Sequence, residues 1–128
     1  MKKYSLDSSF IISYLSKNKI ALKFLEELEY ETILLPAIAE LEVKWGKSDI
    51  SKFENLDKIR FGKDEVETVV EMKKHLESKG EMINRLDIMI AAQSYEQDTT
   101  LITGDRDFKK LDDFQNFESV NFREAKNE

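Results

Sequence analysis

Tyr4-Ser5-Leu6-Asp7-Ser8-Ser9-Phe10-Ile11-Ile12 packs the end of a strand, an acidic junction and the start of a helix into one short stretch. Lys3–Leu6 reads as a strand, and Phe10, Ile11, Tyr14 and Leu15 share one face of a helix over Ser8–Ser16. A similar junction recurs far along the chain, where the run Thr100-Leu101-Ile102-Thr103 ends at Gly104-Asp105. Both segments therefore place a carboxylate at the C-terminal end of a strand. In an open parallel sheet, ligands bind outside that edge.

Outward from these two junctions, helical and strand patterns alternate. Ile20–Tyr30 reads as a helix through Leu22, Leu25 and Leu28, and Glu31–Leu35 as a short strand. Pro36 opens a helix that runs to Gly46. A short helix over Asp49–Leu56 and a weak strand over Lys58–Phe61 follow. Lys63–Lys79 is a long amphipathic helix through Val66, Val69, Val70 and Leu76, stopped by Gly80. Asp87–Gln97 is a very apolar helix, and a last strand lies near Ser119–Phe122. Alternation of this kind with short loops predicts a single α/β domain over residues 1–122, with a mainly parallel central sheet flanked by helices. Residues 123–128 read as a polar C-terminal tail.

Composition narrows the function. A formal charge of −6 argues against generic tight binding to nucleic acid, which normally shows a basic footprint. Divalent cations bound at an acidic site would cancel part of that charge. With no cysteine, neither a disulfide framework nor a thiolate metal site is available. No apolar run approaches a membrane span, and charge interrupts the N-terminal segment before a signal-peptide core could form, so a cytoplasmic protein without membrane association is expected.

Four acids stand at junctions: Asp7, Glu40, Asp87 and Asp105. Each has an ordinary alternative. Asp7, Ser8 and Ser9 are all good helix caps, Asn84 and Asp87 form a capping-box-like pair, and Gly104-Asp105 is common turn chemistry. Glu40 faces Lys44 one helical turn on. With Ile38, Leu41 and Trp45 taken as the buried stripe of that helix, Glu40 and Glu42 flank it equally, and periodicity does not choose between them. Gathered at one edge, such carboxylates raise one another's pKa unless a cation neutralises them. Hard oxygen donors suit Mg²⁺ or Mn²⁺. No HExxH, P-loop or GxSxG motif competes, and His75 lies on the polar side of its helix, which disfavours a histidine-activated nucleophile.

These residues resemble the PIN domain, and specifically the small VapC-type toxin nucleases of toxin–antitoxin pairs. The resemblance runs from Leu6 to Phe122. It is carried by Leu6-Asp7-Ser8-Ser9-Phe10-Ile11-Ile12, by Ala39-Glu40-Leu41 with Gly46, by Gly80 through Arg85-Leu86-Asp87-Ile88-Met89-Ile90-Ala91-Ala92, and by Leu101-Ile102-Thr103-Gly104-Asp105-Arg106-Asp107-Phe108. The second segment is what favours Glu40 over Glu42.

The resemblance implies a Mg²⁺- or Mn²⁺-dependent endoribonuclease, a homodimer, acting on RNA and held in check by a cognate antitoxin protein. Asp7, Glu40, Asp87 and Asp105 are then the catalytic, metal-binding acids, with Asp107 as a substitute or supporting carboxylate. Ser8 and Thr103 match positions that support the carboxylates through hydrogen bonds. Lys44, Arg85 and Arg106, together with Lys109 and Lys110, lie close in sequence to the acids and are candidates to guide RNA phosphates. Two positions depart from the family pattern. Ser9 stands where asparagine is common, and Gly104 where a polar or basic residue is common, which removes one expected substrate contact. The alternatives are a PIN nuclease of RNA processing and a non-catalytic PIN-like binding module. A phosphatase using Asp7 as nucleophile is disfavoured, because Ser9 occupies the place of the usual second acid.

Overall fold

The computed structural model describes residues 1–125, so the end of the expected tail, 126–128, lies outside the described residues. Five parallel strands form one sheet: β1 (Lys3–Leu6), β2 (Thr32–Pro36), β3 (Asp57–Ile59), β4 (Thr100–Thr103) and β5 (Glu118–Asn121). Their spatial order is β3-β2-β1-β4-β5. Successive crossovers step one way from β1 to β3 and the other way from β4 to β5. The reversal falls between β1 and β4, which is the switch point where open α/β sheets leave a crevice.

The helices are α1 (Ser8–Leu15), α2 (Lys19–Glu27), α3 (Ala37–Trp45), α4 (Lys63–Ser78) and α5 (Arg85–Glu96). Short 3₁₀ turns cover Ser51–Phe53 and Arg106–Leu111. The expected helix over Asp49–Leu56 is thus a single 3₁₀ turn. Asn18 and Asn84 cap α2 and α5 by accepting backbone N–H groups.

The register places Leu6 beside Ile102, and the Asp7 N–H donates to the Ile102 carbonyl at 2.9 Å. The two junctions that opened the sequence reading therefore end side by side. Beneath them the core is tight: Leu6, Phe10, Ile11, Leu35, Leu101, Ile102 and Phe122 are buried, with Phe10 and Phe122 edge to face at 5.2 Å. A chain of buried hydroxyls, Thr99 to Ser5 at 2.9 Å and Ser5 to Ser94 at 2.8 Å, joins β1 to α5. Gln93 holds α5 against the opposite half of the sheet, donating to the Ile59 carbonyl at 2.6 Å and accepting from Ile38 N–H at 3.3 Å.

Two helices bury faces other than those expected. On α3 the core contacts come from Ala39 and Val43, whereas Leu41 and Trp45 are exposed, Trp45 to 81%. On α4 the expected Leu76 is buried and Val69 packs against the core, but Val66 and Val70 are exposed, and Glu65, Thr68 and Met72 turn inward instead. Thr68 can enter the interior because its hydroxyl bonds to Glu96, and Glu65 because its carboxylate accepts the Gly62 N–H at 2.8 Å. Ile88, Ile90, Ala91 and Ala92 of α5 are core residues rather than an outward face.

Gly104 is required by packing, not by its backbone angles. A Cβ there would sit 2.6 Å from Cε1 of the buried Phe122 and 2.9 Å from Nε of Arg123. Gly104→Ala is expected to destabilise the fold by about 1–3 kcal/mol, as for other overpacked sites. Chemical denaturation should show a lower midpoint with an unchanged slope. An unshifted midpoint would mean that Phe122 moves aside without cost.

Candidate metal centre

At the switch point the β1–α1 junction delivers Asp7, which is only 2% exposed. Its carboxylate does not cap α1. Instead, Oδ2 accepts hydrogen bonds from Ser9 at 2.6 Å and Thr103 at 2.8 Å. Its other oxygen, Oδ1, is buried and has no hydrogen-bond partner among the described residues. Burial pushes the Asp7 carboxyl above its ordinary range, against the pull of the two hydroxyls.

Asp87 reaches the same place from the first turn of α5. One carboxylate oxygen from each of Asp7, Glu42 and Asp87 lies within 4.8 Å of the others. A second trio, Asp87, Asp105 and Asp107, meets the same limit, so Asp87 is common to both. Burial, followed by the charges of Asp7, Asp105, Glu42 and Asp107, pushes the Asp87 carboxyl up to about 7. Asp105 is partly committed to the chain itself: its Oδ1 accepts the Asp107 N–H at 2.8 Å, starting the 3₁₀ turn. Asp107 is also paired with Lys110 at 3.4 Å.

Glu40, expected in this cluster, is not brought to it. Its carboxylate is held on the other flank of α3 by Lys58 of β3 at 3.0 Å and by Lys44 at 3.1 Å. Partial burial would raise its pKa, but these lysines outweigh that and hold it low. The residue that takes its place is Glu42, whose Oε1 accepts from Ser8 at 2.8 Å. Sequence carried a usable signal here. Glu40 has a lysine at i+4, whereas Glu42 has Gly46 and is left without a cation on its own helix.

Of the supporting residues, Ser8 bonds Glu42, and Thr103 bonds Asp7 while accepting the Asp105 N–H at 2.9 Å. Ser9 joins them: besides Asp7 it accepts the Gly104 N–H at 2.8 Å, fixing the β4 junction against α1. Among the expected phosphate guides, Lys44 is paired with Glu40 and Glu54, and Arg106 with Glu124. Arg85 is exposed. Beside the cluster lies a shallow apolar hollow lined by Leu41, Glu42, Trp45 and Leu86. His75 pairs with Asp113 at 2.9 Å on α4 and takes no part in the cluster.

The donor set fits a hard divalent cation. It consists of carboxylate oxygens alone, arranged around a buried oxygen that lacks a partner and a carboxyl group that its neighbours resist ionising.

The sequence pattern of the PIN domain matches residues 4–114. No curated protein is significantly similar in sequence. Solved structures with the same fold include VapBC2 from Rickettsia felis bound to a DNA fragment from the promoter, at 24% identity, TM-score 0.77, and coverage of 93% of this chain and 98% of that one. VapBC-5 from Mycobacterium tuberculosis, a member of the VapBC family of toxin–antitoxin systems, superposes at 19% identity, TM-score 0.78, and coverage of 94% and 99%. FitAcB from Neisseria gonorrhoeae does so at 19% identity, TM-score 0.76, and coverage of 95% and 99%. No helix among the described residues is long and apolar enough to cross a membrane.

Proposed function

Since the chain belongs to the PIN domain family, we propose that it is a divalent-metal-dependent endoribonuclease, the VapC-type toxin of a toxin–antitoxin pair acting in the cytoplasm. The observation that carries the reading is the unpartnered, buried Oδ1 of Asp7 inside a cluster of five carboxylates at the switch point of the sheet. An uncompensated site of this kind is costly in the absence of a cation.

Asp7, Glu42 and Asp87 would hold one Mg²⁺ or Mn²⁺ ion, and Asp87, Asp105 and Asp107 offer a second position. When bound, the ion supplies Lewis-acid stabilisation of charge developing on a phosphodiester. The chain's own contribution is preorganisation. Ser9 and Thr103 fix the Asp7 rotamer, Ser8 fixes Glu42, and the 3₁₀ cap fixes Asp105, so ligand positions are set before the ion arrives. The VapBC solved structures support an antitoxin partner, and a homodimer is what the family resemblance implies. Exposed Leu41 and Trp45 beside the cluster offer apolar surface for such contacts.

The test is incubation of single-stranded and structured RNAs with the protein in Mn²⁺, Mg²⁺ or EDTA, alongside thermal unfolding in the same buffers. We expect cleavage that EDTA abolishes and a melting temperature that rises with Mn²⁺ by mass action. A folded protein with no Mn²⁺-dependent rise would sink the metal-site reading. A rise without cleavage of any RNA would leave a cation-binding module in place of a nuclease. Growth arrest on expression, relieved by the product of a neighbouring short reading frame, separates a toxin from an RNA-processing nuclease.

A further inference from the structure

The site is acidic, and apart from Arg85, which is exposed and pairs with no carboxylate among the described residues, the basic residues expected to serve it are committed. Lys109 and Arg106 bind Glu124, Lys110 binds Asp107, and Lys44 and Lys58 bind Glu40 and Glu54. An RNA strand entering here would meet carboxylates unless a further cation offset them. Position 104, where the family resemblance implies a polar or basic residue, is glycine. Its vacant Cβ position explains what does occupy that space: Nε of Arg123 lies 2.9 Å from it.

Arg123 follows β5 by two residues, and so stands at the same carboxyl edge as Asp7 and Asp105. Its guanidinium is held on three sides. It lies over the Phe122 ring at 4.7 Å, its Nη2 donates to Ser13 Oγ at 2.9 Å, and it abuts Gly104. Gly104 in turn donates its N–H to Ser9, and Ser9 donates to Asp7. Ser9 and Ser13 are one turn apart on α1, so the guanidinium sits about one helical turn from the residue that fixes Asp7. The side chain is exposed, and among the described residues it has no carboxylate within salt-bridge distance. Only one of its five N–H groups is used in a hydrogen bond to the described residues. A planar fork held in place with donors to spare is suited to a phosphate.

We propose that Arg123 contacts a backbone phosphate of the RNA next to the one that is cut, supplying from β5 the cation that residue 104 lacks. This rests on the ribonuclease reading given above. As a phosphate contact it serves affinity and placement, not base choice, so its loss weakens all RNA sequences alike.

The experiment measures Mn²⁺-dependent cleavage of mixed-sequence single-stranded RNA over a range of KCl by wild type, Arg123→Gln, Arg123→Lys and Lys3→Gln, with melting temperatures for each. Arg123→Gln keeps a planar polar group beside Phe122 but is two bonds too short for the contact with Ser13, which the melting temperature accounts for. We expect it to raise KM roughly tenfold with kcat nearly unchanged, and to reduce the salt dependence of kcat/KM by about 0.7 in log–log slope. Arg123→Lys should recover the slope, and Lys3→Gln, at the opposite end of β1 from Asp7, should change neither quantity. An unchanged KM and slope in Arg123→Gln, with wild type active, would overturn the proposal alone. So would a lysine variant that melts like wild type yet retains the glutamine variant's slope, since charge would then be irrelevant. A wild type that cuts no RNA would overturn both this proposal and the reading beneath it.

Discussion

Asp87→Asn is expected to abolish most RNA cleavage, by on the order of 10²- to 10³-fold, and at the same time to make the metal-free protein more stable. Both effects come from one position. Asp87 is the carboxylate shared by the two trios, so its loss weakens each cation position. Without a cation it is also the group whose charge the fold resists, with its carboxyl pushed up to about 7 by burial and by four neighbouring acids. The sign of the pH dependence follows. Between about pH 4 and 7 the folded protein retains a proton that the unfolded chain has released, so metal-free stability falls as pH rises through that window. Above it the penalty is fully present. Asparagine removes that penalty, which we put on the order of 1–2 kcal/mol after allowing for the partial exposure of Asp87. That corresponds to a rise of roughly 3–8 °C in melting temperature at pH 8. Near pH 4 the two proteins should melt alike, because the wild-type carboxyl is then protonated. Unfolding in EDTA at several pH values checks this, and a variant no more stable at pH 8 than wild type would show that the cluster carries no electrostatic strain. Millimolar Mn²⁺ should reverse the order, by stabilising wild type more than the variant.

The second large effect separates two glutamates on one helix. Glu42→Gln is expected to lower cleavage by about 10²-fold, because Glu42 stands with Asp7 and Asp87. Glu40→Gln should leave activity within about threefold and cost less than about 1 kcal/mol, the usual worth of partly exposed ion pairs such as those with Lys44 and Lys58. Steady-state cleavage with matched Mn²⁺ titrations distinguishes them, since only Glu42→Gln should require more Mn²⁺. The reverse ranking would return Glu40 to the site and require α3 to rotate from the face seen here. Ser8→Ala should fall between the two, because it loosens Glu42 without removing a ligand.

The contrast between these glutamates also shows what could be read from sequence. Asp7 and Asp105 were legible because each ends a strand, and strand ends in a parallel sheet converge on one edge whatever the details of packing. Asp87 was legible because it stands in the first turn of a strongly apolar helix. The choice between Glu40 and Glu42 was not legible from period alone, since both lie at equal angles from the buried stripe. The flank that faces α1 is decided by Ser8 and Lys58, which are distant in sequence. The family pattern pointed to Glu40, whose carboxylate the structure holds with Lys44 and Lys58, away from Asp7 and Asp87. The stripe itself was misplaced because large Leu41 and Trp45 were counted as core, whereas the smaller Ala39 and Val43 fill the interface and Leu41 and Trp45 face outward. Ser9 read as a capping residue and as a departure from the family's asparagine, and its bonds to Asp7 and Gly104 were not legible because they form when β4 docks beside β1.

The strand order has a consequence in time. The central strand, β1, is made early, yet one of its two neighbours is β4, whose residues begin at Thr100. At roughly 5–20 residues per second of synthesis, Asp7 waits about 5–20 s for Asp105 to exist. No shorter nascent segment contains the acids of both trios, because they come from positions 7, 42, 87, 105 and 107. The five-acid cluster is therefore incomplete until the β4 segment emerges and pairs with β1, and under the proposed reading a nascent chain carries no complete site before then.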